Sequence, residues 1–227
     1  MNRMKKSKKI LSLILIAALM ITGINIKTVK TYAKDTNKKA ITAYRKLLSK
    51  EKHKWREDYS SAPDVNKTKN YKFACIDLNG DGIKELVVEN PEACWADGSV
   101  KIFRYVKGKV KKVLLCHGFE WYKKSKIILV NDAHTGAYGG TYYKIKNNGK
   151  IVKKAEYSGT DDKSYKKQAK HKESFYGMTV YYTSYKINGK ETSYKKYKAA
   201  LKKMLKAKKY TKIQLYKNTE DNRDLYL

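Results

Sequence analysis

An α+β fold built on antiparallel sheet is predicted by three observations. Apolar residues recur at three- and four-residue spacing near both ends of the chain, they alternate every second residue through the middle, and glycine turns separate the alternating stretches. The expected plan is a leading helix, an antiparallel β-meander of about seven strands holding one acid-rich loop hairpin, and a closing C-terminal helix. With 227 residues, a prior of ~150 residues per domain allows one domain or two small ones.

The first segment reads as an address. Arg3, Lys5, Lys6, Lys8 and Lys9 precede a mostly apolar run from Ile10 to Ile24, and Thr31-Tyr32-Ala33 places small residues at the first and third positions of an exit site. That order describes a secretory signal peptide over 1–33, leaving 34–227 as a single α+β domain. A spanning helix wants about 20 apolar residues, and Gly23, Asn25 and Lys27 interrupt this run early. No second stretch is apolar enough to span, so no integral membrane span is expected after cleavage, and the chain is expected to be extracellular, in solution or on the cell wall. Export permits disulfides. Cys75, Cys94 and Cys116 are three, so at most one intrachain bridge can form, with Cys94–Cys116 the better pairing.

The elements follow in order. Ile41, Tyr44, Leu47 and Leu48 form an apolar stripe with Lys and Arg opposite, predicting a helix over 36–55 capped by Asp35 or Thr36. Residues 57–69 are polar, hold Pro63 and read as a loop. Strands are predicted at 71–76, 84–89, 100–106, 110–115, 127–130, 141–145, 151–157 and 178–187. Lys107-Gly108, Asn148-Gly149 and Asn188-Gly189 supply tight turns. Ser193 caps a second helix to about residue 208, striped by Tyr197, Leu201, Met204 and Leu205. Ile213 to Tyr216 reads as a last strand, and Thr219 with Glu220 and Asp221 opens a short terminal helix.

One stretch carries metal chemistry: Asp77-Leu78-Asn79-Gly80-Asp81-Gly82-Ile83-Lys84-Glu85. Oxygen side chains stand at loop positions 1, 3, 5 and 9, and Gly82 at position 6 lets the chain double back. Ca²⁺ takes six to eight hard oxygens at ~2.3–2.6 Å. The expected ligands are Asp77, Asn79, Asp81, the Ile83 main-chain oxygen and Glu85. Carboxylates gathered this closely repel one another without a cation. Position 12 is Val88 inside a β-like segment, so the loop is not an EF-hand, which needs Glu there and a following helix. With so few carboxylates, the affinity expected is that of extracellular modules, on the order of 10⁻⁴–10⁻³ M.

The loop resembles the strand–loop–strand calcium sites of FG-GAP (integrin α-type propeller) repeats, whose pattern is Asp-x-Asp/Asn-x-Asp-Gly-x-x-Asp. The likeness covers about residues 71–90. It departs in carrying Glu85 where that pattern has Asp, and in standing as one copy rather than a tandem series, so a propeller is not implied. More loosely, the layout is similar to secreted single-loop proteins of clostridia-type bacteria.

Lys and Arg total 52 against 21 acids, a formal +31. Removing 1–33 leaves 45 basic and 21 acidic residues, a surplus of 24. Only five of the basic residues are Arg, the side chain that reads guanine edges bidentately, so sequence-specific nucleic-acid recognition is not expected. Lysine clusters at 107–112, 163–172 and 195–209 interleave with Tyr165, Tyr194, Tyr197 and Tyr210. Such a field draws polyanions in a salt-dependent way. The expected function is a secreted calcium-binding, non-enzymatic domain that associates with the cell envelope, its partner an anionic cell-wall polymer or glycan. The alternatives are a cell-wall or glycan hydrolase using Asp132 and His134, or Asp161 and Asp162, and a protein-binding adhesin or inhibitor. No catalytic residue is assigned.

Overall fold

The structure is a computed structural model, and it describes residues 31–55, 65–94, 98–175, 177–207 and 209–227. Its core is two antiparallel sheets lying face to face, each covered on its outer side by a helix. Helix α1 occupies 31–48. The first sheet runs β12-β1-β2-β3-β4, from β1 (Lys72–Ile76), β2 (Glu85–Glu89), β3 (Val100–Val106), β4 (Lys109–Cys116) and β12 (Tyr216–Lys217). The second runs β11-β10-β8-β7-β6-β5, from β5 (Glu120–Tyr122), β6 (Ile127–His134), β7 (Ala137–Ile145), β8 (Ile151–Thr160), β10 (Met178–Ile187) and β11 (Lys190–Glu191), with β9 (His171–Phe175) also paired to β10. Helix α2 spans Tyr194–Leu205 and α3 spans Glu220–Tyr226.

The period of two decides which side chain serves which layer. Phe73, Leu86, Val88 and Phe103 face outward, where Ala40, Tyr44 and Leu48 of α1 cover them. The alternate residues Ala74, Val87 and Ile102 face inward and meet Trp121, Ile128 and Ile145 of the second sheet. On that sheet's far side, Leu129, Tyr142, Ala155 and Tyr185 pack under Tyr197 and Leu205 of α2. The middle strands are therefore apolar on both faces.

The α+β class holds, with helices leading and closing a meander of strands. Among the described residues the strands number twelve and divide into two sheets, where a meander of about seven was expected. Of three missed strands, β5 and β11 are three residues or shorter, too short to show a period, and β9 (His171–Phe175) carries no apolar alternation. The leading helix stops at 48, well before the expected 55. Its end is set from a distance: Asn218 Nδ2 donates to Leu48 O at 2.9 Å and to Thr68 O at 2.8 Å. Lys52 then leaves to bridge Lys67. The last strand is shorter than expected because Ile213 and Leu215 turn into the inter-sheet core instead of pairing. Cys75 and Cys116 are thiols, with burial pushing both up to about 11, so the Cys94–Cys116 bridge is not formed.

Turn and cap chemistry matches the reading from residues. Lys107-Gly108 and Asn188-Gly189 have positive φ at both positions, the geometry of two-residue hairpins. Ser193 accepts from Lys196 N and Thr219 from Asn222 N as helix N-caps. Of the segment read as a signal peptide, 1–30 lie outside the described residues, and 31–33 form the first turn of α1. Among the described residues no helix is long and apolar enough to cross a membrane.

Candidate functional site

The acid-rich loop joins β1 to β2, and its own side chains hold its shape. Asp77 Oδ1 accepts from the amides of Gly80 (2.6 Å) and Asp81 (3.2 Å), and Oδ2 accepts from Gly82 N at 2.9 Å. Asn79 Oδ1 accepts from Asp81 N, and Asp81 Oδ1 from Ile83 N, both at 3.1 Å. Short polar side chains thus satisfy amides that a tight reversal removes from the ladder. Gly80 and Gly82 sit at φ +79° and +85°, a region costly for other residues. Ile83 turns its side chain into the core under α1. Tyr44 Oη donates to Lys84 O, and Lys84 N donates to Asn37 Oδ1, so α1 clamps the exit of the loop.

Glu85, the first residue of β2, closes the loop. It is fully buried, accepts from Leu78 N through Oε2 at 2.8 Å, and meets the Arg104 guanidinium through Oε1. Arg104 is equally buried, and its second terminal nitrogen reaches Asp81 Oδ2. The register that pairs Leu86 with Phe103 places Glu85 opposite Arg104 one step further along. Both face the inter-sheet layer. Arg104 also donates from Nε (3.2 Å) and Nη2 (3.1 Å) to Asn147 O, in the turn between β7 and β8. One guanidinium therefore ties together the loop, β3 and a turn of the second sheet. Burial raises the Glu85 carboxyl to about 7, and Arg104 pulls against that rise.

The five expected ligands are thus placed around one turn, with Asp77, Asn79 and Asp81 holding the loop amides and with Asp81 and Glu85 meeting on the Arg104 guanidinium. Among the described residues no three His, Cys, Asp or Glu side chains converge as a metal cage. The donor set is oxygen only, which suits a hard cation. Asp77, Asn79, Asp81 and the Ile83 carbonyl could hold one, with Asp81 and Glu85 shared with Arg104. Arg104 is the site residue that sequence reasoning missed. It stands 19 residues beyond Glu85 in sequence, and its one sequence signal is a lone Arg within an apolar strand.

The second concavity is a cleft of about 500 Å³ at the face of β6, β7 and β8, with Asn131, Asp132, Thr141, Glu156, Ser158 and Lys186 among its walls. Gly139 and Gly140 belong to β7 here, pairing Asp132 and Asn131. A Cβ on Gly140 would fall 2.5 Å from the Tyr157 ring. Lys153 and Lys186 hold Glu156, and the Lys153 contact draws its pKa below the ordinary range. The residues weighed as catalytic stand around the β6–β7 hairpin and the turn that follows β8. Asp132 lines the cleft, His134 is exposed with Nδ1 2.7 Å from Thr135 Oγ1, Asp161 accepts from Tyr138 Oη, and Asp162 caps the 3₁₀ turn Lys163–Lys167. Compared with known proteins, the chain matches no family model, no curated protein and no solved structure.

Proposed function

We propose that this protein is a secreted, calcium-binding, non-enzymatic domain that associates with the cell envelope or another extracellular anionic polymer. The observation that carries the reading is where the charge sits. Among the described residues the only buried charged side chains are Glu85, Lys101 and Arg104, so nearly all of the charge on those residues reaches solvent. A surface of that kind attracts polyanions through counterion release, with lysine as a point charge and little geometric selectivity. The calcium ligands proposed are Asp77, Asn79, Asp81, the Ile83 carbonyl and Glu85. The ion's part would be structural, holding the β1–β2 reversal against carboxylate repulsion.

The test is retention of the full chain on isolated cell wall and on immobilised polyphosphate across a salt gradient. Binding should be firm at low salt and fall steeply and log-linearly as salt rises. No retention at low salt would overturn the polymer reading. For the metal, a thermal melt with millimolar Ca²⁺ should shift upward in the parent and stay put in Asp81→Ala. A parent melt indifferent to Ca²⁺ would remove the ion from the proposal.

A further inference from the structure

A pocket of about 440 Å³ lies where the end of α1, the 3₁₀ turn Thr68–Asn70 and the C-terminal segment meet. Lys50, Lys67, Lys69 and Arg223 stand in its wall with a single acid, Glu51. Like charges brought to one concavity repel, and a bound anion relieves them. Lys50 and Lys69 form no ion pair among the described residues.

Three Arg lie among the described residues. Arg45 is paired with Asp224, and Arg104 with Glu85 and Asp81. Arg223 has no carboxylate partner there, although Glu220, Asp221 and Asp224 share its helix. Its guanidinium is set instead by a neutral anchor, Nη1 donating to Asn218 Oδ1 at 3.0 Å. Asn218 is 5% exposed, and its amide is fixed in turn by Leu48 O and Thr68 O. A planar fork held this way keeps its other donors for an oxyanion. The negative pole of α1 opposes an anion at this place. It is blunted, because Asn218 takes Leu48 O, Thr68 Oγ1 takes Lys50 O, and Thr68 N takes Glu51 O at 3.1 Å. A tetrahedral oxyanion offers oxygens in several directions and can meet fork and ammonium groups together, where a planar carboxylate fills the fork alone.

We propose that this pocket is a phosphate-binding site that takes the phosphate groups of an anionic polymer. The polymer as the source rests on the function proposed above; the phosphate site itself does not. The experiment uses the full chain at low salt, titrated calorimetrically with inorganic phosphate and applied to immobilised polyphosphate. Two double variants remove the same charge: Lys50→Gln/Lys69→Gln in the pocket, and Lys163→Gln/Lys166→Gln on the exposed turn Lys163–Lys167. Inorganic phosphate should saturate one site on the parent, bind about tenfold weaker to the pocket variant, and be unaffected in the control. Arg223→Lys, which keeps the charge and loses the fork, should weaken it by a similar factor, its denaturation midpoint showing that it folds. On polyphosphate the pocket variant should elute at lower salt than the control. No saturable phosphate binding by the parent, or equal weakening in the two double variants, would overturn the site. Saturable phosphate binding without retention of the parent on polyphosphate would keep the site and overturn only the polymer as its source.

Discussion

Arg104 and Glu85 form a buried ion pair whose worth depends on how it is broken. Removing one partner leaves an uncompensated charge in the core, whereas replacing both with apolar residues can be nearly neutral. Arg104→Met should therefore lower stability by about 3–5 kcal/mol, and the double variant Arg104→Met/Glu85→Leu should recover much of that in chemical denaturation. The single variant also frees Asp81 and Glu85 from their competitor, so its melting temperature should rise with Ca²⁺ more than the parent's does. Equal calcium shifts in both would mean that Arg104 does not compete for those oxygens. A second titrating residue is His53, whose pKa is lowered to about 4 by burial first and then by Lys101 and Lys50. The fold favours the neutral ring, so its contribution is full above the ordinary value of 6.5 and is lost as pH falls from there through 4. Melting temperature followed over that interval should drop less steeply in His53→Gln than in the parent.

The hairpins are the elements most legible in the residues. Asn188-Gly189 and Lys107-Gly108 were readable because only a few residue types accept positive φ at both turn positions. The caps at Ser193 and Thr219 were readable for a similar reason, since a short side-chain oxygen satisfies a helix-end amide locally. Other element features depend on close approach between strands, and Gly159 is the sharpest case. A Cβ there would lie 2.8 Å from Tyr181 O and from Tyr182 Cδ1, beside the bulge where the β8–β10 register shifts at Tyr182/Ser184. Gly159→Ala should cost about 1–3 kcal/mol, visible as a lowered denaturation midpoint, while Gly189→Asn at an open turn should cost far less. In sequence both look like turn glycines; the neighbouring strand separates them.

At the scale of the whole molecule, the C-terminal segment closes the structure over α1. Asn218 is buried, pairs with the carbonyls of Leu48 and Thr68, and accepts from Arg223 at 3.0 Å. Asn218→Ala would leave the Leu48 carbonyl without this donor, at about 1–3 kcal/mol, while Thr68 O keeps the Tyr71 amide, and hydrogen exchange should show the end of α1 opening before the sheets do. The α+β class, the helical stripes, most of the strands, the tight turns and the spacing of the loop oxygens are legible in the residues alone. All of these are local: they follow from backbone angles and from periods of 2 and 3.6. Only the tertiary structure decided that the strands split into two facing sheets, that α1 stops at 48, and that Arg104 enters the acid-rich loop. Each of these joins residues far apart in the chain through burial, and the worth of a buried contact is set by what surrounds it in space, which no local pattern of residues records.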